Sequence, residues 1–126
     1  MTGIAALICK RSVSNQQILD RVLAVLPSKD RLIVITLPDF SQTPAGQEVS
    51  KTRNISEGLK EFNAVITTEA KARNLSVIDI FDISKKIGLD PQLVCDDGLH
   101  PSSQGHLLWA SLIFPEAQRL LQSSPQ

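Results

Sequence analysis

Two short runs constrain this chain more than any other feature: "RLIVITLP" at 31–38 and "LSVIDIF" at 75–81. Both are rich in β-branched residues and apolar on consecutive positions, the pattern of a strand covered on both faces. Between them, from about Thr52 to Asn74, Ile55, Leu59, Phe62, Ile66 and Ala70 recur on one helical face, with Asn74 as the closing residue. A strand, a helix and a second buried strand in that order imply a right-handed parallel crossover.

The flanking segments extend the same plan. Ile18, Leu19, Val22, Leu23 and Val25/Leu26 form a helical stripe from Ser14 to Leu26, with Ser12 or Ser14 as the cap and Pro27 as the stop. "DFSQTPAGQEVSK" (39–51) shows no period and carries Pro44 and Gly46, so it reads as a rim loop. A short helix is expected around Ile83–Ile87, closed by Gly88, and a last helix from about Ser102 to Leu121, kinked or divided at Pro115. The expected class is α/β: a three-layer α/β/α domain over 1–126 with a parallel, flavodoxin-like sheet. "GIAALIC" (3–9) is a candidate third strand. With so few strands the sheet is expected to be incomplete, leaving an open edge that pairs with another copy or a complementing chain.

Composition excludes several partners. Thirteen basic and thirteen acidic residues cancel, and no run of like charge occurs, so neither nucleic acid nor an anionic membrane is expected. Four Phe, one Trp and no Tyr provide no stacking platform for bases. No run approaches the roughly 20 apolar residues of a membrane span. The short run Ile4–Cys9 has its positive charges after it, unlike a secretory signal, and the chain reads as cytoplasmic. Cys9 and Cys95 match no metal or redox spacing and read as small buried hydrophobic residues.

The chemistry concentrates in "CDDGLHPSSQGH" (95–106). In an Asp-x-x-His turn the two side chains can converge, because Gly98 permits a tight fold between Asp97 and His100. The carboxylate then holds Nδ1–H of the imidazole and leaves Nε2 to take a proton. Pro101 stiffens the exit and Ser102 or Ser103 caps the last helix; the competing reading is a capped helix with a surface histidine beside it. His106 reads as structural, and Asp96 points away from a tight turn. Asp39 and Phe40, at the end of the first strand, are candidates for lining a substrate cleft; Asp39 could equally cap a turn. Asp79 and Asp82 with Asp97 and His100 could supply a metal site, but their spacing is not diagnostic.

"DGLHPSSQGHLLWA" resembles the last signature block of the SGNH/GDSL hydrolases, in which Asp-x-x-His-Pro supplies the acid and base of a Ser-His-Asp triad. "RLIVITLPDFSQTPAG" resembles the family's penultimate buried strand and rim loop, and "FNAVITTEAKARNLSVIDIF" its last helix and strand before that block. The resemblance runs in register from about Ser14 to Leu121. It implies an esterase or lipase acting on small acyl esters without a cofactor or a metal, with Asp97 and His100 at the positions of the dyad. The family's Gly-Asp-Ser nucleophile block and Gly-x-Asn-Asp oxyanion block are both missing from the sequence. Ala6 and Leu7 stand roughly where the Asn and Asp of the latter would fall, and Asn15 and Asn54 have cap or helix surroundings. Ser41 is the one serine placed on the same rim, without a nucleophile-elbow context. The expectation is therefore a chain that holds the base and acid while the serine and oxyanion donors come from elsewhere. The alternative is an inactive, truncated hydrolase-fold domain that binds a partner or itself.

Overall fold

A computed structural model describes residues 15–123, with side chains described over 16–122. The candidate strand at 3–9, the caps Ser12 and Ser14, Cys9, Ala6 and Leu7 lie outside the described residues.

Helix α1 spans Asn15–Val25, and a 3-10 turn over Lys29–Arg31, capped by the Ser28 hydroxyl, leads into strand β1, Ile33–Ile35. Helices α2 (Pro44–Ser50) and α3 (Ile55–Ala72) return the chain to strand β2, Ser76–Ile78. Helix α4 (Phe81–Leu89), a second 3-10 turn (Pro91–Leu93) and helix α5 (Ser103–Ser123) complete it. The strands pair in parallel, with Ile33 opposite Ser76, Val34 opposite Val77 and Ile35 opposite Ile78. The fold is thus α/β and mostly helical, around a parallel sheet that has two short strands among the described residues.

The core lies where α1 and α3 pack on β1. Ile18 and Leu19 of α1, Val34 of β1, and Ile66 and Ala70 of α3 are buried together with Leu32, Leu37 and Leu75. Arg73, beyond the end of α3, ties the two helices further by pairing with Asp20 at 3.0 Å and Glu69 at 2.8 Å. A second group forms from α4 and α5, with α5 also against β2. There the Ser76 hydroxyl donates to Glu116 at 2.5 Å.

Several expectations need correction. The segment 39–51 is not all loop: Pro44–Ser50 is α2, started by a Thr43 hydroxyl that accepts the Gly46 N–H and by proline in the first turn. Thr-Pro is a helix-start signal, and a helix of two turns has too little length to show a period. In α3 the apolar stripe is shifted, for Phe62 is 45% exposed while Asn63 is buried. Asn63 is drawn inward because its amide pairs with both backbone groups of Leu37 just after β1. Gly88 does not close α4; it lies inside the helix, where a Cβ would stand 3.0 Å from the Thr43 nitrogen. It permits close approach of α4 to the rim segment. Pro115 does not divide α5, which continues through it to Ser123. The strands are covered less completely than their apolar runs imply: Val34 is buried, but Ile33, Ile35 and every residue of β2 are only half-buried. Asn74, in contrast, closes α3 as read, with φ of +57°.

Candidate active site

The carboxyl ends of β1 and β2 are stitched into one rim. The Thr36 hydroxyl donates to Asp79 at 2.9 Å and accepts the Ile80 N–H at 2.9 Å, while its own N–H bonds Ile78 O at 3.0 Å. Asp79 also accepts the Phe81 N–H and so holds the first turn of α4. The next residue after β1 and Thr36, Leu37, is clamped by Asn63 at 2.7 and 3.0 Å. From this anchored exit the chain presents Pro38, Asp39 and Phe40.

Asp39 is fully buried. Its Oδ1 accepts the Ser41 N–H at 2.9 Å, its Oδ2 accepts the Ser56 hydroxyl at 2.7 Å, and the Lys85 ammonium stands 3.7 Å away. Burial pushes the carboxyl up, but the bonds from Ser41 and Ser56 and the charge of Lys85 together hold it below its ordinary value. Asp39 thus closes a turn through Ser41 and borders the cavity described below.

On the other side of the rim, residues 94–101 form a compact turn. Val94 pairs antiparallel with Pro101, and the Cys95 N–H bonds His100 O at 2.7 Å. Gly98 takes φ of +70°, a conformation that side-chain-bearing residues rarely adopt. Inside the turn, Asp97 Oδ1 accepts the backbone N–H groups of Leu99 and His100, leaving Oδ2 to meet His100 Nδ1 at 2.5 Å. The imidazole bond, followed by the two backbone bonds, lowers the Asp97 carboxyl to about 2. An ionised acceptor at Nδ1 fixes the tautomer in which Nε2 is the basic nitrogen. The turn is anchored by Ser102, whose hydroxyl donates to Gln92 O and accepts the Gly105 N–H as α5 begins.

His100 borders a cavity of about 240 Å³ between the two halves of the rim. Pro38, Asp39, Phe40 and Thr43 from the exit of β1, Ser84 and Ile87 of α4, Trp109 of α5, and Leu99 and Pro101 beside the histidine line the cavity. Trp109 is the contributor that the sequence reading missed. Its Nε1–H donates to Ser84 Oγ at 3.1 Å, and Ser84 in turn donates to Ile80 O at 2.5 Å. His106 packs edge-on against the indole, with centroids 5.4 Å apart and its Nδ1 3.1 Å from Ser102 O.

The other candidates fall elsewhere. Ser41 is buried and borders a separate hollow with Arg53, Asn54 and Ser56, away from the cavity that His100 lines. Asn54 caps α3 by accepting the Glu57 N–H. Asp96 and Cys95 border a third hollow against Gln47 and Gly88; Cys95 is exposed there rather than buried, because it opens the surface turn and its thiol donates to Pro101 O at 3.1 Å. Asp79 serves the rim as described, and among the described residues no group of three or more His, Cys, Asp or Glu side chains comes together as a metal site. Nor is any described helix long and apolar enough to cross a membrane.

A search of curated proteins and a search of solved structures each found no match to the chain. The GDSL-like Lipase/Acylhydrolase family matches residues 11–113, which takes in β1, β2, the Asp97–His100 turn and the first half of α5. That span is most of the chain, which belongs to the GDSL-like lipase/acylhydrolase (SGNH/GDSL hydrolase) family.

Proposed function

We propose that this chain provides the acid–base half of an ester hydrolase acting on small acyl esters. His100 Nε2 takes the proton from a serine hydroxyl as it attacks the ester carbonyl, then returns it to the leaving alcohol. Asp97 orients the imidazole and stabilises its protonated form. Asp39 and Phe40 line the cleft. The observation that carries the reading is the 2.5 Å contact between Asp97 Oδ2 and His100 Nδ1, with Nε2 left free of any partner among the described residues. Ester hydrolysis by this route uses no cofactor.

The serine is the component the chain does not declare. No Gly-Asp-Ser occurs in the sequence. Ser84 borders the cavity, but its hydroxyl is engaged as donor to Ile80 and as acceptor from Trp109. On this reading, a segment carrying the Gly-Asp-Ser block completes the site. The test is turnover of a short p-nitrophenyl ester, by the chain alone and with such a segment supplied. Turnover should vanish in His100→Ala and fall by about 10⁴-fold in Asp97→Asn, the loss known for a misheld histidine tautomer. Turnover that survives His100→Ala, or none even with the serine block present, would overturn the proposal. Loss in Ser41→Ala of the chain alone would instead make Ser41 the nucleophile.

A second reading, a non-catalytic domain that binds its own copy, is favoured by the outer face of α5. Leu107, Phe114 and Leu121, each seven residues apart, are 67%, 63% and 60% exposed. With strand edges that have no partner strand among the described residues, such a stripe favours association. Sedimentation showing a monomer at micromolar concentration would remove this reading.

A further inference from the structure

The polar groups that border the cavity beside His100 are already engaged. Thr43 Oγ1 donates to Phe40 O at 2.8 Å and accepts the Gly46 N–H at 3.0 Å. Ser84 Oγ is held between Ile80 O and the Trp109 Nε1–H. Both oxygens of Asp39 have partners. A sugar, phosphate or other polar ligand would find its hydrogen-bonding groups unmatched there, at a cost that an apolar ligand avoids. What remains for a ligand is hydrocarbon: Pro38, Phe40, Ile87, Leu99 and the indole of Trp109, with the imidazole of His100 at one side.

We propose that this cavity receives an unbranched hydrocarbon chain of the ester, and that Trp109 determines the chain length it accepts. That the chain belongs to an ester rests on the proposed hydrolase function; the preference for an apolar chain rests on the cavity itself. Trp109 suits a boundary because it is held at two points, by the bond from Nε1 to Ser84 and by the edge contact with His106. An indole fixed in this way does not rotate aside to admit a longer ligand. The size of the occupant follows from the volume. A dry apolar cavity of about 150 Å³ takes the six carbons of benzene, so one of about 240 Å³ has room for about nine. The chain is either the acyl group or the alcohol, since both meet at the ester oxygen that His100 protonates.

The sequence contains one tryptophan and no tyrosine, so intrinsic fluorescence reports on Trp109 itself. The experiment titrates the chain with n-alkanols and n-alkanoates from about four to about twelve carbons. Saturable changes in Trp109 emission are expected, each methylene tightening binding about three- to fourfold until about nine carbons, then no further. Tighter binding of the alcohols assigns the leaving-group side, and tighter binding of the acids assigns the acyl side. Leu99→Phe, which keeps the reporter, should move the break to shorter chains. Trp109→Ala, followed by calorimetry with circular dichroism as a check of folding, should move it to longer ones. Binding without chain-length dependence, or an unmoved break in Leu99→Phe, overturns the proposal, and Leu99→Phe decides alone if Trp109→Ala fails to fold. No chemistry enters this measurement. Chain-length-dependent binding without His100-dependent turnover therefore refutes the hydrolase reading alone, and the reverse pattern refutes the subsite alone.

Discussion

Asn63→Ala puts the support of the rim to the test. Asn63 lies on α3 and is buried, and its amide bonds the Leu37 N–H at 2.7 Å and the Leu37 carbonyl at 3.0 Å. Leu37 is itself buried, so water cannot replace the amide without opening the rim. Alanine removes both partners and leaves an N–H and a C=O unpaired, each at a cost of about 1–3 kcal/mol. The sum, about 2–6 kcal/mol, is a large part of the 5–15 kcal/mol by which a domain is usually stable. With a denaturant slope of about 2 kcal/mol per molar, the urea midpoint should fall by about 1–3 M. Asn63→Asp is the informative companion. It keeps an acceptor for the Leu37 N–H but loses the donor and buries a charge, so it should also destabilise, and more at pH 7 than at pH 4. If Asn63→Ala moved the midpoint by less than about 0.5 M, under about 1 kcal/mol, the clamp would not be what holds the exit of β1.

Two further outcomes follow from the same geometry. Asp97 and Glu116 each titrate at about 2 in the folded chain, held down chiefly by the bonds from His100 and from Arg119. Because the folded values lie below the unfolded ones, their stabilisation is present above the ordinary carboxylate range and is lost as pH falls from about 4 toward 2. Thermal melts across that window should show a falling midpoint, with a shallower fall in Asp97→Asn and in Glu116→Gln; equal slopes in all three would contradict the assignment. Gly46→Ala should destabilise by about 1–3 kcal/mol or detach α2, because a Cβ there would lie 1.8 Å from the Phe40 carbonyl oxygen. An unchanged urea midpoint would mean that α2 does not pack on the rim as described.

Local patterns were legible where local chemistry was sufficient. The apolar runs at 31–38 and 75–81 produce adjacent parallel strands, because a segment apolar on consecutive positions must be covered on both faces. The Asp97–His100 geometry was legible because it is set within four residues: Gly98 supplies the positive φ, and the Asp97 carboxylate satisfies the turn's own N–H groups before it reaches the imidazole. Helix α2 was missed because seven residues reveal caps but no period.

Only the tertiary structure decided the rest. Nothing near Asn63 in sequence announces that it will turn inward and displace Phe62 to the surface; its partner is the backbone of Leu37, 26 residues earlier. The cavity is of the same kind. Phe40, Ile87, Leu99 and Trp109 lie on four separate segments, and only the packing of α4 and α5 beside the exit of β1 brings them together next to His100. The sequence by itself determined the turn in which Asp97 meets His100, because that turn depends on bonds between near neighbours. What that turn faces depended on the packing of distant segments, because a cavity is the space that those segments leave between them.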